Sequence, residues 1–264
     1  MNLVRMMGYN PSRTATALRG LGPYFKNRAA MKAEIARRVS GGEEIAFPLG
    51  KAYPCLHDRF ESGGNPSGVY FHMDLWAAQR LCTNRPHEHV DVGSSVAGFC
   101  ARVASFMPIR VIDIRPTHST ARNLSFETCD LMNMPEAYAN STDSLSCLHA
   151  LEHFGLGRYG DPLDYDGWRK GWENLLRMLR PGGTLYFAVP IGQRQRIEFD
   201  AHRVFSVPFI VDEMIGDRLD IVSFAYVGDD NEIYHDQDTR SDEAARSFGL
   251  RWGCGMFELT KITA

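Results

Sequence analysis

The chain has 264 residues, 44% of them apolar and 23% charged, enough to bury a substantial core without help from metals or disulfides. Its formal charge of -3 excludes a strongly basic nucleic-acid binder at whole-chain level. The balance is uneven: residues 1–40 carry eight Lys or Arg against the single acid Glu34, a charge of +7, leaving 21 basic and 31 acidic residues and a charge of -10 elsewhere.

Cys55, Cys82, Cys100, Cys129, Cys147 and Cys254 form no C-x-x-C pair, so neither a zinc knuckle nor a compact disulfide framework is expected. A reducing, cytoplasmic setting follows as the expectation. No apolar run reaches the roughly 18 residues that span a bilayer. The Arg-rich N-terminus lacks the apolar core of a secretory signal, its glycines and Pro11 are expected to interrupt any helix, and it reads as mature sequence. This basic segment fits a solvated face, contact with an anionic membrane surface, or contact with nucleic acid; it lacks the aromatic interleaving of a single-strand binder, and no nucleic-acid partner is expected.

In chain order, residues 1–86 show mixed patterning, with one helix expected over 27–39 and turn clusters at Gly41-Gly42 and Gly63-Gly64-Asn65-Pro66. They are expected to form an N-terminal basic extension or cap. From residue 87 to 264, apolar β-type runs alternate with helical periodicity, as in a parallel sheet of βα units. Strands are expected at His89 to Val92, Ile109 to Ile114, Leu124 to Cys129, Ser144 to His149, and Thr184 to Val189. Helical stripes run through Val96, Phe99, Cys100, Val103 and Met107, with Ser95 as N-cap, and through Trp168, Trp172, Leu175, Leu176 and Leu179, with Pro181-Gly182-Gly183 as the stop. A helix from Ser206 to Ile215, a strand from Asp220 to Val227, an acidic loop with a short helix over 228–247 and a last strand from Met256 to Ile262 complete the chain. The fold class is α/β, an open, doubly wound, Rossmann-like and mostly parallel sheet whose ligands sit at the carboxyl ends of the strands.

The turn Val90-Asp91-Val92-Gly93-Ser94-Ser95-Val96-Ala97-Gly98-Phe99 joins strand to helix and offers backbone N–H groups at the helix start. Against the dinucleotide fingerprint it has Ser95 where the middle glycine lets a pyrophosphate approach, so a ligand without phosphates fits better. Asp91, Gly93, Ser95 and Ala97 resemble the looser turn of class I methyltransferases, which bind S-adenosyl-L-methionine. Asp113 ends the second strand 20 residues beyond Gly93, where a carboxylate can accept both ribose hydroxyls. Asp130 ends the third and can accept an adenine amino group. The neighbours of Asp130, Cys129 and Leu131, would pack the ring, and Ile114 joins the site beside Asp113. Gly93, Ser94, His149 and these residues make up the candidate cofactor site. Leu179 to Pro190, L-R-P-G-G-T-L-Y-F-A-V-P, likewise resembles the helix, turn and fifth strand of class I methyltransferases, whose last strand is antiparallel.

The block H-A-L-E-H-F-G-L-G-R-Y-G-D-P, His149 to Pro162, narrows the resemblance. With Phe71 to Trp76, His89 to Ser95, Val111 to Pro116 and Phe199 to Ser206, it resembles a methyltransferase-like family described as a domain of unknown function, over residues 45 to 264. The resemblance implies a class I methyltransferase fold and S-adenosylmethionine as cofactor. Relatives of this type often accompany surface-polysaccharide biosynthesis, which implies a saccharide or small-molecule hydroxyl as acceptor.

A hydroxyl acceptor must lose a proton near the transition state. His153 and His202 are placed to take it, with Glu152 or Asp200 to orient the base or replace it; Arg158, Tyr159, Asp161 and Asp200 are candidates for binding the acceptor. His149-x-x-Glu152-His153 also matches an inverted zinc-peptidase motif, but it straddles a strand end and a Gly-rich loop where that motif needs one helix, so no metal is expected. Phe71, His72 and Asp74 fit either a cover over the site or a packed helix with an exposed acid. Trp168 and Trp172 fall on a core stripe. Two other readings stay open: a binding protein that keeps the adenosyl pocket without chemistry, and a nicotinamide-dependent dehydrogenase, against which Ser95 argues.

Overall fold

The computed structural model describes residues 10–61 and 66–263, and contacts divide the chain into two compact units, residues 1–65 and 66–264. The division falls after Asn65 and not at the 86/87 change of texture, because helix Val69–Asn84 buries Met73, Trp76, Ala77 and Leu81 in the core of the second unit. Arg5 and the Gly63-Gly64-Asn65 turn lie outside the described residues.

In the first unit, α1 runs over Pro11–Ser40, so the helix expected over 27–39 is the second half of a longer one. Pro11 starts this helix instead of interrupting it: it stands in the first turn, where no N–H partner is needed and its φ is already helical. Asn10 caps the same turn, its Oδ1 accepting the Arg13 N–H at 3.2 Å. The segment containing Leu56 crosses α1 at Gly20, where a β-carbon would strike the Leu56 carbonyl. Arg37 and Arg38 suit the negative helix end and share Glu34, holding its carboxyl down at about 2.

The second unit is built on one eight-stranded sheet of order β3-β2-β1-β4-β5-β10-β8-β9. β1 (His89–Val92), β2 (Ile109–Asp113), β3 (Leu124–Thr128), β4 (Thr142–Leu148) and β5 (Leu179–Ile191) pair in parallel. β10 (Gly253–Lys261) lies antiparallel between β5 and β8 (Leu219–Val227), as the sequence reading required. The acidic stretch adds an edge strand, β9 (Ile233–Tyr234), beside the expected short helix Asp242–Ala245. A hairpin absent from the sequence reading, β6 (Arg196–Glu198) with β7 (His202–Val204), follows β5.

Helix α2 (Val69–Asn84) and α3 (Val96–Cys100 continued by Ala101–Ala104) pack with Phe99, Val103, Tyr186 and Ala188 in one core cluster. α4 (Gly167–Met178) and α5 (Val207–Phe209 continued by Ile210–Ile215) pack with Leu185, Phe187 and Val189 in another. Alternate residues of β5 therefore serve opposite faces, which is why its sequence is an unbroken apolar run. Trp172 is buried against Phe187, and its indole N–H donates to the Met214 carbonyl at 2.9 Å. Pro181-Gly182-Gly183 does not stop α4. The helix ends at Met178, Leu179 is already extended and paired with Thr142, and Lys261 Nζ donates to the Leu176 and Leu179 carbonyls at 2.7 Å.

Candidate active site

Strand order reverses at β1, which is flanked by β2 on one side and β4 on the other; the carboxyl ends there frame an open cleft. Residues 92–93, 112–115, 129–132, 149–150 and 153–154 line it together with Tyr159 and Asp161. The structure thus brings Gly93, Asp113, Ile114, Asp130, Leu131, His149, His153, Tyr159 and Asp161 to one place. Asp91, Ser94, Ser95, Glu152, Arg158, Asp200 and His202 are not on its lining.

The β1 turn explains three of these absences. Asp91 is fully buried, and its carboxylate accepts the Ser94 N–H at 3.0 Å and the Ser94 and Ser146 hydroxyls. Ser94 Oγ in turn accepts the Leu148 N–H at 3.1 Å, tying β1 to β4. Ser146 also meets His89 Nε2 at 2.9 Å. Asp91 and Ser94 are therefore an internal staple, not the cofactor ligands expected from sequence. Ser95 turns back to cap its own helix, accepting the Gly98 N–H at 3.1 Å. Gly93 stays with the cleft: its φ of +68 is a left-handed conformation, and a β-carbon would sit 3.0 Å from Ala150 Cβ. Gly98 leaves room for the Asp74 carboxylate, which is buried and not exposed; burial pushes its pKa up to about 6 against the pull of Arg102 at 3.1 Å.

Asp113 projects from β2 with its carboxylate already engaged. Arg115 donates to Oδ1 from its backbone N–H and Nε at 2.8 and 2.9 Å, and to Oδ2 from its terminal nitrogen at 2.8 Å. A carboxylate offers about four lone-pair directions, so one on Oδ2 remains for a ribose hydroxyl. The two-hydroxyl grip expected from sequence therefore needs Arg115 to move. Arg115 also lies over the Tyr159 ring, its Cζ 4.4 Å from the centroid. Asp130 caps the turn Leu131–Asn133, accepting from Met132 N at 2.9 Å and Asn133 Nδ2 at 2.6 Å. For a ligand that places a ribose in this cleft, Asp113→Ala is expected to weaken binding by about 10- to 100-fold, the worth of one charged hydrogen bond. Calorimetric titration of the variant checks this, and unchanged affinity would remove Asp113 from the site.

Around the end of β4, His149 and His153 flank Glu152. His149 adopts a left-handed φ of +51, and its ring packs edge-on against Tyr70 and Trp252. Glu152 is fully buried in the turn Leu151–His153; its Oε1 lies 3.6 Å from both His149 Nδ1 and His153 Nε2, and neither oxygen has a hydrogen-bond partner. Burial pushes Glu152 up to about 8 and the two imidazoles down to about 3 and about 4, so all three are neutral at pH 7. His153 Nδ1 lies 2.7 Å from the Ala201 carbonyl, which can only accept, and 3.4 Å from Arg158 Nη1, which can only donate; the shorter contact puts the proton on Nδ1. His202 is differently placed: it is off the cleft lining, and its Nε2 already meets both the Trp252 indole nitrogen at 3.0 Å and Glu198 Oε2 at 3.2 Å.

A carboxyl whose pKa rises on folding stabilises the native state below its unfolded value and loses that contribution as pH climbs to the folded value. Burying neutral imidazoles has the opposite slope, which levels off above 6.5. Between pH 6.5 and 8 the loss from Glu152 outweighs the last of the imidazole gain, and stability is expected to fall by about 1 kcal/mol. Denaturant melts should show this fall in the wild-type chain and lose it in Glu152→Gln; equal slopes would contradict it.

The remaining candidates hold the loop. Asp161 accepts the backbone N–H groups of Gly155, Gly157 and Tyr159, so it shapes the Gly-rich segment from within the cleft wall. Arg158 donates to the Ala201 carbonyl at 2.9 Å. Asp200 is exposed in the β6–β7 hairpin. Sequence reasoning missed Arg115 and Arg203. Both stand in the quoted blocks, Arg115 two residues past a strand-end acid and Arg203 one past His202. Arg203 is buried and donates to the carbonyls of Phe154 and Tyr165 at 2.6 and 3.1 Å. Among the described residues, no group of three or more His, Cys, Asp or Glu is arranged to hold a metal ion.

The sheet order and the antiparallel β10 define the Rossmann-like fold of class I methyltransferases. The (4+2)-cyclase SpnF is similar at 14% identity and a TM-score of 0.52, covering 73% of this chain and 82% of that one. The N-methyltransferase NodS of Bradyrhizobium japonicum WM9, in complex with S-adenosylhomocysteine, is 15% identical with a TM-score of 0.46, over 74% and 88% of the two chains. The 1,6-didemethyltoxoflavin-N1-methyltransferase of Burkholderia thailandensis, also with S-adenosylhomocysteine, is 15% identical with a TM-score of 0.48, over 72% and 79%. The family described as Caenorhabditis protein of unknown function, DUF268, matches residues 108–233, a span that includes the His149 to Pro162 block. No curated protein matches the sequence.

Proposed function

We propose that this chain is a cytoplasmic S-adenosylmethionine-dependent methyltransferase acting on a hydroxyl of a saccharide or small molecule, in the setting of surface-polysaccharide synthesis. One observation carries the reading: Gly93, Asp113, Asp130 and Leu131 line the switch-point cleft beside an imidazole, His153, whose Nδ1 meets the Ala201 carbonyl at 2.7 Å. The fit to the cofactor is chemical. Ile114 and Leu131 offer apolar surface to a ring, Asp113 Oδ2 keeps one acceptor direction for a ribose hydroxyl, and Gly93 lets a ligand approach the backbone.

When bound, S-adenosylmethionine supplies an activated methyl group. The chain's own part is to align the acceptor oxygen, keep water out and hold the displaced proton. His153 Nε2 takes the hydroxyl proton while Nδ1–H stays on the Ala201 carbonyl. The imidazolium so formed stands 3.6 Å from Glu152 Oε1, a carboxyl oxygen whose dipole can face the charge without any further proton transfer. Arg158 and Tyr159 stand beside His153 for contact with the acceptor.

The test is transfer of tritiated methyl from S-adenosylmethionine to a panel of saccharides and small hydroxy compounds. Acceptor-dependent labelling supports the reading. Tight cofactor binding without transfer, unaltered in His153→Ala, supports the alternative of an adenosyl-binding protein, which the use of the Ser94 N–H by Asp91 favours. Binding of a nicotinamide dinucleotide in place of S-adenosylmethionine would support a dehydrogenase.

A further inference from the structure

Independently of the cleft, we propose that α1 docks in the plane of an anionic lipid bilayer. The helix packs against its own unit on the side of Gly20, which is buried, and Tyr24, which is half-buried. The opposite side is open. At 100° per residue, Leu18 and Phe25 lie two turns apart on one line, continued by Ala29 and Ala36. Leu18 is 63% and Phe25 61% exposed, and Val39 beside that line is 59% exposed. Arg19, Lys26 and Arg37 border the stripe on one side, Arg28 and Lys32 on the other.

The pattern of charge selects the occupant. Across Pro11–Ser40 seven cations face one acid, Glu34, which Arg37 and Arg38 already neutralise. A second copy of the helix would bring two strongly positive borders together. A nucleic acid would need cations at the centre of the face, where Leu18, Phe25 and Ala29 stand. An interface rich in anionic headgroups accepts both features at once: apolar side chains enter the acyl boundary while Lys and Arg reach phosphates at their own level. Among the described residues no helix is long and apolar enough to cross a membrane, so the contact is in-plane.

The full chain is sedimented with vesicles of phosphatidylcholine alone and of phosphatidylcholine with about 30% phosphatidylglycerol, at low and raised salt. At least tenfold stronger partition onto the anionic vesicles is expected, reduced by salt. The double variant Leu18→Glu, Phe25→Glu should lose at least tenfold while its thermal melt stays unchanged, since both side chains are exposed. Equal partition onto both vesicles, or a double variant that binds like the wild type, would overturn the proposal. So would self-association abolished by the same pair, or preference for a nucleic acid over the anionic vesicle.

Discussion

Replacing His153 by alanine is expected to lower kcat by about 100- to 10,000-fold, the usual worth of a positioned proton acceptor, with little change in cofactor affinity. His153 lines the cleft, and the Ala201 carbonyl at 2.7 Å fixes its proton on Nδ1. His202, the other candidate from sequence, does not line the cleft and its Nε2 lies between the Trp252 indole and Glu198, so His202→Ala should stay within a few-fold of wild type. Because burial brings His153 down to about 4, the acid limb of kcat/KM is expected near pH 4 and not near 6.5. Activity surviving in His153→Ala but lost in His202→Ala would reverse the assignment.

Asp91→Ala is expected to destabilise the chain by about 3–5 kcal/mol, lowering the melting temperature by roughly 10 °C. Its carboxylate serves the Ser94 N–H and two hydroxyls at a site closed to water. Removing it leaves several buried donors without an acceptor, each costing about 1–3 kcal/mol. The loss would spread, because Ser146 also meets His89 and Ser94 also holds the Leu148 N–H. Asp91→Asn, which keeps an accepting oxygen, should lose less. A change below about 1 kcal/mol with cofactor binding abolished would instead return Asp91 to the role of a direct ligand.

Most of the parallel sheet was legible because β1, β2 and β4 are short apolar runs bounded by turn residues, and because Asp113, Asp130 and Gly93 stand at strand ends. What sequence spacing leaves undetermined is direction. His89 and Asp91 alternate with Val90 and Val92, and only the parallel pairing with β4 shows that Ser146 waits on their side. The occupation of Asp113 by Arg115 was hidden because an arginine after a strand can turn to solvent as easily as back. The fixing of His153 depends on Ala201, 48 residues away, in a hairpin too short to register as two strands. α1 was cut short in the reading because Pro11 was weighed as a breaker, whereas at a first turn it is a starter.

The most direct test is calorimetric titration of the purified full chain with S-adenosylmethionine and S-adenosylhomocysteine. One-to-one binding of both in the micromolar range is expected, weakened in Asp113→Ala. Folded protein that gives no heat and no thermal shift with either ligand would contradict an adenosyl site in the switch-point cleft.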